Sequence, residues 1–455
     1  MSMLSNKYEK LTELNNNISQ AAIGKIMFWV GFSCVFISNI FDTMCFDNIL
    51  SGGIVFRCGL FVLMAKIVID WIYENNYTKL LYLASLIAGI GALVTSEESV
   101  IISLFVVILS SKNINYKHII KFFTLSICGL YILNVVYMII GIKSMNIMID
   151  NSIGHGGSAR HFFGFEDPNG AMMMATNIFI CIVLLFKEKL SWILIGIETM
   201  IVLAVYYYTE ARGGIMVYLI ILSLFFIGKS KLKELIVKCG ILYIGPVVIV
   251  VSMFVTSVIF DGRWLIGNKF LATFESRILA FGILKDVDKV TLFGRKVSYI
   301  YPVDCVYFKI ILYYGIVSFL MFFMFYIIAI KRNVNDYYFG IVVFTMAFVG
   351  TLQTHPLEVY YSLPLLAAFS SYEDEELGDS LVDELKRYGN FIFSGAIIVL
   401  LTGHAIIQHG MEVAELNNVM YTGPSNRQVT DILFLILGAA LGGTVKKIES
   451  TVRKG

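Results

Sequence analysis

Apolar runs of about twenty residues recur along the chain from Ile26 to Leu441, separated by polar, mostly lysine-bearing connections. Such a run crosses roughly 30 Å of hydrocarbon as a helix, a form that satisfies its own backbone N–H and C=O groups there. The pattern predicts twelve to fourteen spans, at 24–41, 49–70, 79–95, 98–111, 119–142, 168–186, 190–208, 212–228, 239–260, 306–330, 337–354, 358–371, 391–409 and 430–445, three of them short enough to be re-entrant. The expected fold is an all-α polytopic transmembrane helical bundle, one integral membrane domain over residues 1–455. No soluble domain fits between the spans. The polar stretch before the first span lacks the basic start and small-residue cleavage site of a secretory signal, so the first span is expected to direct insertion.

Composition agrees with this reading. Hydrophobic residues make up 58% of the chain and charged residues 15%, with a mean hydropathy of +0.78, which excludes an ordinary soluble domain. Seven cysteines stand singly without CxxC spacing, so no structural metal site or disulfide framework is expected; only Cys45 and Cys305 are placed to form a bridge at the outer face. Neither a GxGxxG fingerprint nor a P-loop is present, and no nucleic-acid partner is expected.

The sidedness of charge says more than the net value of +2. With the N-terminus inside, the inner connections carry Lys112, Lys117, Lys121, Lys187, Lys189, Lys229, Lys231, Lys233, Lys238, Lys331, Arg332, Lys386, Arg387, Lys446 and Lys447, so every short inner turn obeys the positive-inside rule. Two long loops, 143–167 and 261–305, then face outward. Of ten arginines, seven (Arg57, Arg160, Arg212, Arg263, Arg277, Arg295 and Arg427) fall at or near that outer face. Topology asks only for positive charge inside and does not explain them. Arginine differs from lysine in presenting a planar fork that clasps phosphate oxygens bidentately. Histidines lean the same way, His118 being the one that is clearly inner.

The first loop holds Gly154-His155-Gly156-Gly157-Ser158-Ala159-Arg160-His161, followed by Phe162-Phe163-Gly164-Phe165 and Asp167-Pro168-Asn169. Asp167 is a natural N-cap and Pro168 suits the first helical position, which leaves interfacial phenylalanines and an exposed arginine as the plain reading. An anion site at Arg160 and His161 is compatible with that cap, because a helix N-terminus attracts phosphate. Thr209-Glu210-Ala211-Arg212-Gly213-Gly214 reads either as a tight turn whose glycines bring two helices together or as a second arginine at diphosphate depth. In the second loop, Phe270, Phe274, Ile278 and Phe281 follow helical spacing, so an amphipathic surface helix is expected, acting as a lipid anchor or as a lid that brings Arg277 and Arg295 to an anion. Asp286-Val287-Asp288 resembles a DxD metal motif, though two acids in a charged helix arise often by chance, and no metal or other cofactor is expected.

A general base has three candidates. His355, in the outer turn Leu352-Gln353-Thr354-His355-Pro356-Leu357-Glu358, titrates near neutral pH, and Glu358 and the loop carboxylate Glu275 compete with it. Arg57 and Glu198 lie within spans, where a charge is costly and usually paired, and similar depth suggests they pair with each other.

The Arg160 loop with Gly164-Phe165-Glu166-Asp167-Pro168-Asn169, the Arg212-Gly213-Gly214 turn and the stretch Leu292-Phe293-Gly294 … Asp304 … Tyr307 … Gly315 together resemble bacterial O-antigen and capsular repeat-unit polymerases (Wzy-type) and the related O-antigen ligases, over roughly residues 150–365. That resemblance implies a GT-C-like helical fold in the bacterial cytoplasmic membrane and glycosyl transfer on its outer face from polyprenyl-diphosphate-linked oligosaccharides. It also implies membrane lipid and other polysaccharide-assembly proteins, such as a flippase and a chain-length regulator, as partners. Carried over, Arg160 and Arg212 lead as anion ligands, Arg277 and Arg295 follow, and His355 stands where ligases carry a histidine, although the residues after it do not complete the ligase pattern. A ligase and a lipid-linked sugar transporter are the rival functions.

Overall fold

A computed structural model describes residues 2–44, 52–139, 147–150, 158–165, 167–259, 290–296 and 305–372. In chain order the elements are α1 (Ser2–Thr43), α2 (Gly52–Tyr73), α3 (Asn76–Ser96), α4 (Val100–Ser110), α5 (Tyr116–Ile139), β1 (Ile147–Asp150), β2 (Ser158–His161), α6 (Pro168–Phe186), α7 (Trp192–Thr209), α8 (Arg212–Gly228), α9 (Leu232–Cys239), α10 (Ile241–Ile259), α11 (Val306–Arg332), α12 (Tyr337–Leu352) and the short α13 (Leu363–Leu366). Six helical stretches are long and apolar enough to cross a membrane: Ala22–Thr43, Asn76–Ser96, Tyr116–Val136, Pro168–Lys189, Trp192–Thr209 and Val306–Arg332. A seventh is added if α8 and α9, which meet at 109°, count as one broken span. The chain is a multi-pass helical membrane protein. The expected spans 391–409 and 430–445 lie outside the described residues.

Close packing follows from small and aromatic residues at the crossings. A Cβ on Gly31 of α1 would sit 2.8 Å from the Gly59 carbonyl of α2, and one on Gly59 would sit 2.7 Å from the Gly31 carbonyl, so glycine at both positions lets the two backbones touch. Phe28, Phe32 and Phe36 line one stripe of α1, where Phe32 and Phe36 meet Phe122 and Phe123 of α5 at ring separations of 4.7 to 5.7 Å. Among the six long spans α6 is the most enclosed, with 83% of its apolar window buried, and α7 and α8 pack against it.

The connections gather at two opposite ends. At one end, Lys187 pairs with Asp336 at 2.6 Å, Lys233 with Glu188, Lys112 with Glu74, and Tyr116 N–H donates to the Ser371 carbonyl at 3.2 Å. This is the end that carries the lysine-bearing turns. The hairpin, the α7–α8 turn, the α3–α4 turn and the segment after α12 form the other end.

The structure corrects the sequence reading at three places. The first long loop contains a two-stranded antiparallel hairpin, with Met148 opposite Arg160 and Ile147 opposite His161, a short paired element added to the expected helical bundle. Within the same loop Phe165 is core rather than interfacial: it is 1% exposed and packs on Tyr131 at 5.7 Å. The expected span 358–371 is no continuous helix. It crosses as 3-10 turns at His355–Leu357 and Val359–Tyr361, then α13, then an extended end paired beside Asn115. Pro356 and Pro364 remove backbone donors that a continuous helix would need, and side chains of other helices satisfy the carbonyls instead. Asn177 donates to Tyr360 O at 2.8 Å, Tyr116 Oη to Leu363 O at 3.0 Å, Ser111 Oγ to Leu366 O at 3.2 Å, and Arg332 to the Ala367, Ala368 and Ser370 carbonyls at 2.6 to 3.2 Å.

Candidate functional site

Asp167 caps α6 as its sequence predicts: its carboxylate accepts from Gly170 N–H at 2.9 Å and Pro168 occupies the first turn. Arg160 reaches the same helix start from β2. Its Nε donates to the Thr209 carbonyl at 2.7 Å and its Nη2 to Asn169 Oδ1 at 3.1 Å. Thr209 is the last residue of α7, where carbonyls lack helical partners and positive charge is favoured. The guanidinium is 6% exposed. Arg160 therefore clamps the hairpin to the end of α7 and the beginning of α6, and it is not the lipid-facing charge that the plain reading expects. His161 sits edge-on to Tyr208 at 5.4 Å, with Phe163 on the same tyrosine at 5.7 Å.

From Thr209 the chain turns through Glu210, at φ 48°, into α8. Arg212 is the first residue of α8 and is exposed, so its charge stands at a helix N-terminus. Gly214 lets α8 approach α6, since a Cβ there would lie 2.4 Å from Met172 Cγ. This agrees with the packing reading at Gly214, and Arg212 is exposed on the same turn. Leu352, at the end of α12, comes to 3.7 Å from the place a Gly213 Cβ would occupy. His355 follows three residues later. Its ring stacks on Tyr361 at 5.5 Å with an interplanar angle of 22°. Arg160, His161, Arg212 and His355 are thus brought to one end, hung on the starts of α6 and α8 and the ends of α7 and α12.

Glu358 completes the His355 turn. Its carboxylate accepts from Asn39 Nδ2 of α1 at 2.8 Å, while Val359 N–H donates to Asn39 Oδ1 at 3.1 Å, which ties residues 319 and 320 positions apart. Three polar atoms near this turn have no hydrogen-bond partner among the described residues: Gln353 Oε1, Tyr361 Oη and Asn177 Oδ1, on side chains 9%, 2% and 1% exposed. Buried polar groups are nearly always satisfied, so orphans gathered at one turn mark a place where a ligand or water completes the bonding.

Arg295 belongs to a neighbouring corner. The strip 290–296 lies on the bulged part of α11, a π turn at Ile310–Tyr314 that ends in Gly315 at φ 83°. Arg295 N–H donates to Tyr313 O, and Ile316 and Val317 N–H donate back to Thr291 and Leu292, at 3.0 to 3.1 Å. Gly294, at φ 88°, is required: a Cβ there would fall 1.9 Å from Tyr313 O. The Leu292-Phe293-Gly294 and Gly315 positions that carry the resemblance are therefore in direct backbone contact. Arg295 Nε is buried without a hydrogen-bond partner among the described residues. Beside it Tyr314 Oη donates to Glu98 in the α3–α4 turn, Lys309 approaches Glu98 at 3.9 Å, and Glu358 also acts electrostatically on Tyr314.

The expected Arg57–Glu198 pair does not form. Arg57 is exposed on α2, whereas Glu198 of α7 is 6% exposed, with Oε1 unpartnered and Tyr131 and Cys128 in its electrostatic reach. Similar depth was insufficient because the two helices do not face each other. Glu275, Arg277, the amphipathic stretch around Phe270–Phe281, Asp286, Asp288, His155 and Cys45 lie outside the described residues. Sequence reasoning missed Asn39, Glu98 and Tyr314, whose partners are distant in the chain and give no local pattern, and quoted Asn169 without seeing its bond to Arg160 nine residues before it. Among the described residues no three His, Cys, Asp or Glu side chains gather as a metal site. No known protein family, curated protein or solved structure matches this chain.

Proposed function

We propose that the protein is a polysaccharide polymerase of the bacterial cytoplasmic membrane, GT-C-like in fold, joining polyprenyl-diphosphate-linked oligosaccharide repeat units on the outer face. The observation behind this reading is that Arg160 bonds Thr209, the last residue of α7, Arg212 begins α8 three residues later, and the end of α12 three residues before His355 lies beside Gly213. In the reaction an acceptor hydroxyl oxygen attacks the anomeric carbon of the donor, the bond from that carbon to the diphosphate oxygen breaks, and the lipid diphosphate leaves with the electron pair. The hydroxyl proton passes to a base, for which His355 and Glu358 are the candidates on this turn. A diphosphate leaving group needs its developing charge stabilised above all, which a preorganised arginine set supplies. Arg212, exposed at a helix N-terminus, and Arg295, with a buried unpartnered Nε, are suited to touch the diphosphate. Arg160 acts behind them by fixing the turn that carries Arg212.

The test is polymerisation by the purified chain supplied with lipid-linked repeat units. Arg212→Ala is expected to lower the rate by about 100-fold or more, the usual cost of removing one donor to developing charge. Chains that never lengthen with the unsubstituted protein, but are transferred whole to another acceptor, would replace the polymerase by a ligase. A transporter is the second reading, favoured by the broken crossing after α12, since transporters use interrupted helices. Arg212→Ala separates the two: lipid-linked units still reach the outer leaflet if the protein is a polymerase.

A further inference from the structure

The helix α9 leaves α8 at 109°, so with α8 upright it runs along the membrane surface at the lysine-bearing end of the bundle. Its exposed positions fall in two parallel stripes at i, i+3 and i+7. Leu232, Leu235 and Cys239 form an apolar stripe, the two leucines 55% and 56% exposed, and Lys231, Glu234 and Lys238 form a charged one beside it. The inward positions Ile236 and Val237 pack on the core. An apolar stripe alongside a charged one of net positive sign, on a helix lying in the plane, matches a membrane–water boundary.

The charges around α9 divide into satisfied and unsatisfied. Lys187 pairs with Asp336 and Lys233 with Glu188, while Lys229 lies over the Trp192 ring at 4.4 Å and donates to Leu190 O at 3.4 Å. Lys189, Lys231 and Lys238 are exposed and make no ion pair or hydrogen bond among the described residues. Trp192, 63% exposed and stacked on Phe226 at 5.5 Å, stands at the same level, as tryptophans at headgroup depth do. Three ammonium groups outside any ion pair among the described residues, against the single exposed carboxylate of Glu234, therefore border a leucine stripe at one interface.

We infer that α9, with Lys189 and Lys231 to Lys238, is a binding surface for anionic phospholipid, its leucines set against the acyl chains and its free lysines against the phosphate headgroups. The inference does not rest on the proposed catalytic reading, because it uses the opposite end of the molecule. Each lysine near an anionic surface contributes roughly a fivefold preference.

The test titrates the purified full chain, in mild detergent, with phosphatidylglycerol or phosphatidylcholine and counts bound lipid by native mass spectrometry. The unsubstituted protein is expected to prefer phosphatidylglycerol, and the double variant K231Q/K238Q to lose about 25-fold of that preference, with K231R/K238R retaining it. Leu232→Ser with Leu235→Ser is expected to weaken both lipids together. Equal preference in the glutamine variant and the unsubstituted protein, at unchanged melting temperature, would overturn the inference. So would serine variants that bind both lipids as tightly as before, since the stripe would then contact no acyl chain.

Discussion

Arg160 offers the sharpest separation between a side chain that touches substrate and one that holds the site together. Its guanidinium is nearly enclosed and gives one N–H to the Thr209 carbonyl, itself fully buried, and another to Asn169 Oδ1. Arg160→Ala removes at least the two bonds to Thr209 and Asn169, about 1.5–3 kcal/mol each, although water entry recovers part, so a loss of about 3–5 kcal/mol or more is expected. Arg160→Lys keeps the charge but brings a single ammonium in place of a fork, satisfies one of the two acceptors, and is expected to cost about half as much. Asn169→Ala removes one bond and leaves the Thr209 contact, for a loss of about 1–2 kcal/mol. Because residues 160 and 169 share a bond, the double-mutant cycle is expected to show coupling of about 1 kcal/mol or more.

The assay is the free energy of reversible unfolding in mixed micelles, measured beside polymer length for the same variants. The expected order of stability is Asn169→Ala, then Arg160→Lys, then Arg160→Ala, with polymer length falling in the same order. Arg160→Lys as stable as the unsubstituted protein would refute the clamp. Full stability combined with complete loss of polymer in Arg160→Ala would refute it differently, by showing that the guanidinium works on the substrate itself.

Gly294→Ala is expected to cost about 3 kcal/mol or more, from a left-handed backbone and the loss of cross-bonds to α11, and to open 290–296 to protease; unchanged cleavage would sink the docking of this strip. Glu198→Leu is expected to stabilise the protein by about 1–3 kcal/mol, since a carboxyl with an unpartnered oxygen is removed from the bundle interior; destabilisation would mean that the carboxyl has a partner in the working protein. Lys233, by hydrogen bond and by charge, holds the Glu188 carboxyl below the ordinary glutamate range. The stabilising pair is therefore fully present above that range and is lost as pH falls through the depressed value. The ratio of Cys239 labelling rates in Glu188→Gln and in the parent protein at the same pH, which cancels the thiolate fraction, should exceed one at neutral pH and fall to one in that acid window; a ratio of one at every pH would refute the tie.

Hydrophobic periodicity was enough to locate the helices from α1 to α12 other than α9, because each of these contains an apolar run of its own, and local rules were enough for the Asp167 cap. The same measure misread 358–371. That segment is as apolar as its neighbours, and hydropathy does not register that its carbonyls are served by Asn177, Tyr116, Ser111 and Arg332 from other helices. Pro356 and Pro364 were the visible warning. For Arg160, residue type and sidedness were legible but burial was not, since burial depends on Thr209, 49 residues away. Eight residues were too few for the stripes of α9 to stand out from a lysine-rich turn.

The broken crossing also bears on enzyme against transporter. An interrupted helix in a transporter leaves helix-end carbonyls and N–H groups bare at mid-membrane, where they bind cargo and exchange partners as the protein rocks. Here the carbonyls of Tyr360, Leu363, Leu366, Ala367, Ala368 and Ser370 are engaged by side chains of α5, α6 and α11 and by Ser111 at the end of α4. Moving the segment would break these bonds in a medium that offers no replacement. Such a segment is a fixed post, not a gate. What it holds at the end nearer the hairpin is the His355 ring on Tyr361 and the Glu358 carboxylate on Asn39, with the Gln353, Tyr361 and Asn177 atoms that lack partners among the described residues nearby. A rigid support under an ionisable pair, with polar atoms still wanting partners, is what a reaction with defined geometry requires. A carrier that must alternate between two shapes gains nothing from it.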